Sequence, residues 1–549
     1  MSDLSRRKFL KHASQAGLAV AATSAFRRFA IAQADSVTRV VIDSGRQVAP
    51  ISPNLFGSFL EHLGRAIYEG VYDPGSKFAD SNGFRTDVLA EVKQLGVPII
   101  RWPGGNFVSG YHWLDGVGPK KNRPAVLDRA WNSLETNQFG TNEFVTWARQ
   151  AGAEPLFGMN FGTGSAEDAA ALLEYCNVAK GTKWSELRRS HGYDQPHGVK
   201  FWCLGNEMDG PWQIGHMPAR EYGIKAVDAA RQMRAVDPSV KLVACGSSGP
   251  FMPTYIDWDR TVLEECYEEV DGISLHRYWG NDEETRHDSS IYVAMNLAMD
   301  RQIREIAAVC DTVQARKRSG KQLHLSFDEW NVWYRARSGD AVNGGGRPAP
   351  HLLEEPYNLE DALVVGGLAN SLIRHSDRVR IACLAQLVNV IAPIATNSDG
   401  ILRHTIYYPY QWALKYGRGR ALSIEPEGPG YEVTSLGRPT EAIGLPSPGF
   451  GQVPYLDVVA TLDPEKKTAS ILVLNRDLEK PRNLELVWHD LTPSSVTSFE
   501  TITGADLKAG NTFAEPRRVI PQKLENPRAG SRMSIEFPAR SYSALTLSL

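Results

Sequence analysis

The stretch Val199–Gly210, VKFWCLGNEMDG, contains a short apolar run that ends at a glycine. The residues from Val199 to Leu204 predict a buried strand, which Gly205 terminates. Asn206 and Glu207 then follow at the carboxyl end of that strand. A carboxylate presented at a strand end is a candidate general acid.

A second stretch, His324–Trp330 (HLSFDEW), repeats the pattern, with another short strand that ends in a glutamate, Glu329, and is followed by aromatic side chains. Two carboxylates at the strand ends of one barrel are the minimum equipment for breaking a glycosidic bond. Read alone, each glutamate is also typical of a surface carboxylate or of the start of a helix. Glu207 and Glu329 are therefore a candidate catalytic pair if their two strands share a barrel.

Short apolar runs separated by helix-length segments recur between Asn54 and Asn389. They predict eight strands: Leu55–Leu60, Pro98–Trp102, Pro155–Asn160, Lys200–Leu204, Lys241–Cys245, Gly272–His276, His324–Phe327 and Ile381–Leu387. Strands that alternate with helices form a parallel sheet, and eight of them predict a (β/α)8 TIM barrel with its working residues at the carboxyl ends of the strands. Asn358 is expected to cap one of the intervening helices.

The pattern changes after about Tyr410, where strand-like segments are separated by Pro, Gly and Asn. These segments are Tyr455–Leu462, Ala469–Asn475, Leu484–Trp488, Ser531–Phe537 and Ser541–Leu547. They predict a C-terminal antiparallel β-sandwich domain, which the early strand Val37–Ile42 is expected to join. The predicted divisions are residues 35–52 for that strand, 53–412 for the catalytic barrel and 413–549 for the sandwich.

The composition excludes some classes of function. Sixty Lys and Arg against 63 Asp and Glu give a net charge of -3, which provides no basic surface for nucleic acid. The six cysteines are scattered without a CxxC pair, and the histidines show no ligand spacing, so no metal site is expected. Buried thiols are expected rather than a disulfide framework.

The N-terminus has the pattern of a targeting segment. Arg6 and Arg7 precede an alanine-rich stretch from Ala16 to Ala25, and Ala32-Gln33-Ala34 offers small residues for cleavage. This pattern is similar to a twin-arginine signal peptide and predicts that residues 1–34 are removed during export to the periplasm or the medium. A Sec signal and an ordinary basic arm are the alternatives.

The glycine-rich stretch Asn343–Pro348 lies between the Glu329 strand and the helix that Asn358 is expected to cap. It predicts a mobile loop over the barrel mouth. It lacks the Lys-Ser/Thr pair of a phosphate-binding loop, which argues against nucleotide binding.

Long segments of the chain resemble the α-L-arabinofuranosidases of glycoside hydrolase family 51. The resemblance is carried by the segments FLEHLGRAIYEGVY, RWPGGNFVSGYHWLDGVGP, AWNSLETNQFGTNEF, CLGNEMDGPWQIGHM, FDEWNVWY and YNLEDALVVGGLANSLIRHSDRVRIACLAQLVNVIAPI. These segments run from about Leu55 to Ile394, and the predicted sandwich also fits the family.

The resemblance implies a retaining, exo-acting enzyme that needs no cofactor or metal. Its substrates would be terminal non-reducing α-L-arabinofuranosyl residues of arabinan, arabinoxylan or derived oligosaccharides. Glu207 in GNEMDGPW would be the general acid/base and Glu329 in FDEWN the nucleophile, with their carboxyl groups about 5 Å apart. The family also implies a homo-oligomer, such as a hexamer.

The same matching assigns the pocket. It makes sugar contacts of Glu61, Asn106, Asn206 and Gln386, lets Tyr278 hold Glu329 through its phenol, and makes pocket walls of Trp131 and Trp333. Glu61, Asn106 and Gln386 could instead support the pocket from behind, and either tryptophan could belong to the core.

Three residues next to the proposed site residues are expected to take no direct part in the reaction. His62 and His276 are expected to be hydrogen-bonded scaffold, because the reaction already has its acid and its nucleophile. Asp328, the neighbour of Glu329 on a strand, is expected to point to the opposite face.

Two other classes of protein stay open. An endo-acting glucanase or xylanase of the same barrel clan would use the same two glutamates in an open cleft. A non-catalytic carbohydrate-binding protein would not need the two carboxylates, Glu207 and Glu329.

Overall fold

Residues 37–438 and 447–549 are described by the computed structural model of the chain. Eight parallel strands close into a barrel in chain order. They are Gly57–Phe59, Ile99–Trp102, Glu154–Gly158, Phe201–Leu204, Lys241–Ala244, Gly272–Trp279, His324–Val332 and Val379–Ala385. The predicted TIM barrel is confirmed, and Glu207 follows the fourth strand while Glu329 lies on the seventh.

The barrel strands are apolar because both of their faces are covered. In the fourth strand, Trp202, Cys203 and Leu204 are all buried, with helices outside and other strand residues inside. A strand buried on both faces has a continuous apolar run rather than an alternating one. The apolar run before Gly205 therefore belongs to a barrel strand, and the first polar residues after it come out at the rim.

Helices connect the barrel strands and cover their outer face. They are Thr86–Leu95, Thr141–Ala151, Ala166–Asn177, Lys183–Ser190, Ala219–Val236, Asp257–Cys266, Ser289–Tyr292, Asn296–Lys317, Leu359–Arg374 and, after the last strand, Tyr407–Tyr416. The predicted cap is confirmed: Asn358 accepts a hydrogen bond from the Asp361 amide at 3.0 Å, and the Asp361 carboxylate accepts one from the Asn358 amide at 2.9 Å. This reciprocal pair satisfies two amides that the helix itself leaves free.

The second unit consists of two packed sheets. The larger sheet has the strand order Gln47–Pro50, Arg420–Leu422, Leu456–Asp463, Thr468–Asn475, Ser541–Ser548, Ser495–Ile502 and Gln522–Lys523. The smaller sheet contains Val37–Ile42, Arg482–Trp488 and Arg532–Phe537. Val37–Ile42 pairs in parallel with Arg482–Trp488, while the other pairings in both sheets are antiparallel. The predicted sandwich is therefore confirmed, with one parallel pair inside it.

Three short hairpins and four single turns of 3-10 helix complete the described elements. The hairpins are Val126–Asp128 with Ser133–Glu135, Ile394–Thr396 with Ile401–Arg403, and Gly430–Ser435 with Pro448–Pro454. The turns are Phe107–Gly110, Trp113–Gly116, Lys120–Asn122 and Gly339–Val342.

A buried ionic cluster joins the barrel to the sandwich. Arg374, at the end of a barrel helix, donates to Asp300 of a second helix at 3.1 Å and to Asp457 of a sandwich strand. Arg476 lies 3.2 Å from the same Asp457. Because each buried charge has an opposite partner, the two units are held in one arrangement.

All six cysteines are buried thiols, as expected. No helix within residues 37–438 and 447–549 is both long enough and apolar enough to span a bilayer.

Candidate active site

A pocket of about 300 Å³ opens at the carboxyl ends of the barrel strands. Its walls contain all of the predicted site residues except one: Glu61, Asn106, Trp131, Glu207, Tyr278, Glu329, Trp333 and Gln386. The exception, Asn206, is buried beside the pocket. A concave site of this size fits a single small sugar better than a polymer chain.

Glu207 and Glu329 face each other in this pocket. One carboxylate oxygen of each lies within 4.8 Å of the other. Retaining glycosidases hold their two carboxyl groups about 5–5.5 Å apart, whereas inverting enzymes need about 6.5–9.5 Å to admit a water. The separation is therefore short enough for one carboxylate to attack the sugar that the other protonates.

Glu207 is held by a strained backbone at the end of the fourth strand. Gly205 has φ +98° and Glu207 has φ +46°, a left-handed conformation that is rare for a residue with a side chain. A methyl group on Gly205 would lie 3.0 Å from Cβ of Phe161. The sharp turn directs the Glu207 side chain into the pocket instead of along the strand.

Two donors hold the carboxylate of Glu207. His276 Nδ1 lies 3.0 Å from Oε1, and Trp212 donates its indole N–H to Oε2 at 2.7 Å. Burial raises the pKa of Glu207, and the negative charge of Glu329 raises it further, while the hydrogen bonds from His276 and Trp212 lower it. The net upward shift of the pKa favours a protonated Glu207, which is the form that a general acid needs.

Glu329 is fixed at both carboxylate oxygens. Arg101 donates from Nη1 to Oε1 at 2.6 Å, and Tyr278 donates its hydroxyl hydrogen to Oε2 at 2.8 Å. The predicted contact between Tyr278 and Glu329 is thus present. An arginine and a phenol that hold both oxygens leave the carboxylate one orientation from which to attack.

The expected position of Asp328 is wrong. The pairing of the seventh strand shifts register between Phe327 and Trp330, which is the sign of a β-bulge. A bulge interrupts the alternation of side chains, so consecutive residues can point to the same side. Asp328 accordingly lies under the pocket, with Oδ1 3.1 Å from His276 Nε2.

Glu61 is a third carboxyl group in the pocket wall. Its Oε1 accepts hydrogen bonds from the Phe107 amide at 2.9 Å and from the Trp131 indole at 3.1 Å. Burial raises the pKa of Glu61 to about 8, against the lowering effect of the Phe107 amide. A protonated Glu61 can donate to a sugar oxygen, and its ionised form can only accept.

Asn206 and Gln386 present polar groups beside Glu61 and Glu329. Asn206 Oδ1 accepts from Arg101 Nη2 at 2.6 Å, while its buried Nδ2 has no hydrogen-bond partner among the described residues. Gln386 Oε1 accepts from the Glu61 amide at 2.9 Å. A buried donor without a partner is costly, so the amide of Asn206 is a natural partner for a substrate hydroxyl.

His62 has the supporting position expected for it. Its Nδ1 lies 2.7 Å from Glu135, and its Nε2 accepts from the Trp102 indole at 3.1 Å. Both ring nitrogens are therefore used within the scaffold.

The site residues that were not predicted from the sequence include Arg101, Gly105, Trp212 and Phe251. Arg101 lies near the end of the second strand and Gly105 just after it, both in RWPGG, while Trp212 and Phe251 belong to rim loops. A buried arginine at the end of an apolar strand is unusual and could have pointed to Arg101. The rim loops have no periodicity from which Trp212 or Phe251 could be assigned to the pocket.

The Asn343–Pro348 loop is hydrogen-bonded to the hairpin that carries Trp131. The Gly344 amide donates to the Trp131 carbonyl at 2.8 Å, and the Gly346 amide donates to that of Asn132 at 2.8 Å. In the other direction, the Leu134 amide donates to the Arg347 carbonyl at 3.0 Å. The predicted loop at the barrel mouth is thus joined to a pocket wall.

Glu207, His276 and Glu329 bring one ligand-type atom each within 4.8 Å of one another. Such a trio resembles a metal site in composition. However, both ring nitrogens of His276 already face carboxylates, and both carboxylate oxygens of Glu329 already accept hydrogen bonds from Arg101 and Tyr278. The donor set therefore does not fit a resident cation.

Two family profiles match the chain. Residues 91–292 match the α-L-arabinofuranosidase 1 domain, and residues 328–541 match the α-L-arabinofuranosidase C-terminal domain. The chain is 47% identical over 484 residues to the intracellular exo-α-(1→5)-L-arabinofuranosidase 1 of Bacillus subtilis, covering 88% of this chain and 93% of that protein. It is 44% identical over 490 residues to the exo-α-(1→6)-L-arabinofuranosidase of Bifidobacterium longum, with 88% and 91% covered.

Solved structures give the same relationship. A family 51 α-L-arabinofuranosidase from Bifidobacterium longum superposes with a TM-score of 0.86 at 37% identity, over 93% of this chain and 99% of that one. The arabinose complex of an α-L-arabinofuranosidase from Thermotoga maritima has a TM-score of 0.83 at 36% identity, over 93% and 100%.

The comparisons contradict the predicted export. Relatives from Bacillus subtilis, Halalkalibacterium halodurans and Acetivibrio thermocellus are named intracellular enzymes. The prediction rested on residues 1–34, which lie outside the described part of the chain. A pair of arginines before an alanine-rich stretch is also typical of an ordinary basic arm, so the pattern alone does not specify export.

Proposed function

Since the chain belongs to the α-L-arabinofuranosidases of glycoside hydrolase family 51, we propose that it removes terminal non-reducing α-L-arabinofuranosyl residues from arabinan, arabinoxylan or derived oligosaccharides. The observation that carries the proposal is the close approach of Glu207 and Glu329 in a pocket of about 300 Å³. Both carboxylates are held by donors that fix their orientation.

In the first step, the Glu329 carboxylate attacks the anomeric carbon while Glu207 gives its proton to the departing glycosidic oxygen. The carbon–oxygen bond to the leaving group breaks, and an arabinofuranosyl ester forms on Glu329. The leaving alcohol departs neutral because it takes the proton of Glu207 with it. The upward shift of the Glu207 pKa supports this acid role.

In the second step, Glu207 acts as a base. It takes a proton from a water that attacks the same anomeric carbon, and the ester bond to Glu329 breaks. The products are free arabinose and the regenerated Glu329 carboxylate. Two displacements at one carbon retain its configuration.

Sugar recognition is assigned to the polar groups around the pocket. The unpartnered amide of Asn206 would donate to the 2-hydroxyl, where a hydrogen bond that strengthens in the transition state has most effect. Glu61, Asn106 and Gln386 would contact the other hydroxyls, and Trp131 and Trp333 would form the walls. Because a furanose has few hydroxyls and little apolar area, these contacts decide which sugar fits.

Product analysis tests this function directly. The purified protein is incubated with arabinan and arabinoxylan, and the proposal requires arabinose as the released product, without oligosaccharides released by cleavage inside the chain. Hydrolysis of p-nitrophenyl α-L-arabinofuranoside is compared with internal cleavage of a soluble glucan. Internal cleavage would favour the endo-acting alternative, and sugar binding without hydrolysis would favour the binding protein.

We also propose that the chain acts as a homo-oligomer, such as a hexamer. We further propose that residues 53–412 form the catalytic domain and residues 413–549 the sandwich domain, which residues 35–52 join. The family resemblance supports the oligomer, and the separate barrel and sheets support the division. Light scattering should give a multiple of the chain mass, 60.7 kDa. A monomer mass would contradict the oligomer. Residue 412 lies inside the helix Tyr407–Tyr416, so limited proteolysis that separates the two units should cut after that helix, before the strand that begins at Arg420.

A further inference from the structure

Asp328 does not line the pocket, yet it touches the group that holds the acid. It is buried beneath the site, and its Oδ1 lies 3.1 Å from Nε2 of His276. On the other side of the same ring, Nδ1 lies 3.0 Å from Oε1 of Glu207. The imidazole of His276 therefore connects a buried carboxylate to the proposed acid/base.

The two contacts determine how many protons the ring carries. The ionised carboxylate of Asp328 only accepts hydrogen bonds, so Nε2 must donate to it, and a second proton on Nδ1 lets the ring donate to Oε1 of Glu207 as well. Burial alone would lower the pKa of His276, but the charge of Glu329 and the contacts with Asp328 and Glu207 outweigh it and raise the pKa to about 10. The ring is then an imidazolium at neutral pH.

A neutral imidazole in this place would disturb catalysis. Free histidine has a pKa of about 6.5 and free glutamate about 4.3, so a neutral ring at this distance would compete for the Glu207 proton. A ring that already carries both protons cannot take a third. We propose that Asp328 is a positioning residue that keeps His276 doubly protonated, so that Glu207 is the group that gains and loses the catalytic proton.

Glu207 and Glu329 also face His276, but neither carries a constant negative charge through the reaction. Glu207 loses and regains its proton and Glu329 becomes a neutral ester during the reaction, so both change charge, whereas Asp328 takes no part in bond breaking. Burial would raise the pKa of Asp328, but Arg101 and His276 lower it, so the carboxylate stays ionised.

The remaining neighbours of Asp328 do not replace His276 as its partner. Arg101 Nε is 3.7 Å from Asp328 Oδ2, and the two outer nitrogens of that arginine are used by Glu329 and Asn206. The Cys203 thiol donates to Asp328 Oδ2 at 3.2 Å and is neutral. The hydrogen bond to His276 is therefore the charge-assisted contact that Asp328 makes at short distance.

The first experiment measures kcat/KM against pH for Asp328→Asn, which keeps the side-chain size and removes the charge. Because Glu207 is the proposed acid/base, the role of Asp328 rests on the proposed function. Without the negative charge the His276–Glu207 pair loses its first proton more easily, so the alkaline limb should move down by about one pH unit or more. The loss should be larger on an arabino-oligosaccharide than on an activated aryl arabinofuranoside, which hardly needs the acid.

Asp300→Asn is the matched control. Asp300 is also buried and lies 3.1 Å from both a histidine, His375, and an arginine, Arg374, but at the interface with the sandwich. Its substitution should lower stability and leave the alkaline limb of kcat/KM unchanged.

A double mutant tests whether Asp328 acts through His276. In a His276→Gln background, Asp328→Asn should cause no further shift of the alkaline limb, since the imidazole that connects Asp328 to Glu207 is absent.

Two results would overturn the proposal. The first is an alkaline limb of kcat/KM that does not move in Asp328→Asn. The second is an equal loss of activity on the arabino-oligosaccharide and on the aryl arabinofuranoside, which would mean that Asp328 acts on Glu329 through Arg101. If Asp328→Asn does not fold, nitrogen NMR of His276 in the wild-type protein decides, with the resonance assigned from His276→Gln. Both ring nitrogens should be protonated at pH 8, and a neutral ring would refute the role of Asp328 even in an active arabinofuranosidase. A wild-type protein without that activity would instead refute the proposed function, whatever the state of the ring.

Discussion

Trp212 donates its indole N–H to Oε2 of Glu207 at 2.7 Å, although 43% of the Trp212 residue surface is exposed. An indole can donate but never accept, so it stabilises the ionised carboxylate more than the acid. Trp212 therefore opposes the burial that raises the pKa of Glu207. The proton affinity of Glu207 is set in part by a residue on an open loop.

Trp212→Phe should therefore raise the pKa of Glu207 further and move the alkaline limb of kcat/KM to higher pH, by about half a unit to one unit. Trp488→Phe is the control, because the buried indole nitrogen of Trp488 has no partner among the described residues. A pH profile that is the same in Trp212→Phe and the wild type would show that the hydrogen bond does not act on the acid.

The two carboxylates should respond differently to removal. Glu329→Ala should lose activity on every substrate, because no covalent intermediate can form. Glu207→Ala should lose roughly 10²–10⁴-fold on natural linkages but keep the first step on activated aryl substrates, and added azide should restore turnover. Steady-state rates with and without azide measure both effects.

An equal loss of activity on both kinds of substrate would contradict this assignment. If Glu207→Ala loses aryl and natural substrates to the same extent and azide has no effect, Glu207 is not the acid/base.

The pocket carboxyl of Glu61 should make stability depend on pH. Its pKa is raised from the model-compound value of 4.5 to about 8 in the folded protein, so the folded state holds a proton that the unfolded state releases. That contribution is complete below about pH 4.5 and is lost as the pH rises through 8. Relative to Glu61→Gln, the wild type should thus lose stability between these values. Urea midpoints from pH 5 to 9 measure the difference, and parallel curves for the two proteins would contradict it.

Gly105 keeps the nucleophile in place because it has no side chain. A methyl group there would lie 2.8 Å from Oε1 of Glu329, a carboxylate whose two oxygens are already held by Arg101 and Tyr278. Gly105→Ala should therefore displace the carboxylate and lower kcat by about 10²-fold or more, the effect of a misplacement of about 1 Å. Gly320→Ala is the control, since its methyl group would meet no atom within 4 Å. Equal rates for the two variants would show that Glu329 can move aside without loss.

The ionic cluster between barrel and sandwich should affect stability and not chemistry. Arg374→Met leaves the buried carboxylates of Asp300 and Asp457 without that partner, which should destabilise the protein by about 3–5 kcal/mol. Denaturant unfolding measures the loss, and kcat of the folded fraction should match the wild type. A lowered kcat with unchanged stability would be the opposite of this expectation.

The parts of the site that could be predicted follow strand ends. Glu207 follows an apolar run after Gly205 and Asn206, and Glu329 follows one after Asp328. The barrel geometry then brings such residues together at one rim. The resemblance supplied Glu61, Asn106 and Gln386, which a pattern of apolar residues cannot identify.

The parts that could not be predicted depend on departures from regular structure. The bulge near Asp328 reverses the side that alternation predicts, and a bulge leaves no reliable sign in a single sequence. Trp212 reaches Glu207 because of the path of a loop, and loop paths are set by tertiary contacts. The parallel pairing of Val37–Ile42 likewise depends on a partner far along the chain.

That pairing also imposes an order on biosynthesis. Val37 lies opposite Asn483, so a ribosome that adds roughly 5–20 residues per second makes the two partners about 20–90 s apart. Until then Val37–Ile42 is an unpaired strand with one apolar face, the kind of edge on which other chains can add. The barrel can form while the sandwich waits for its last strands. Chaperones that cover the nascent N-terminal region should therefore improve the yield of this protein more than those that act after release.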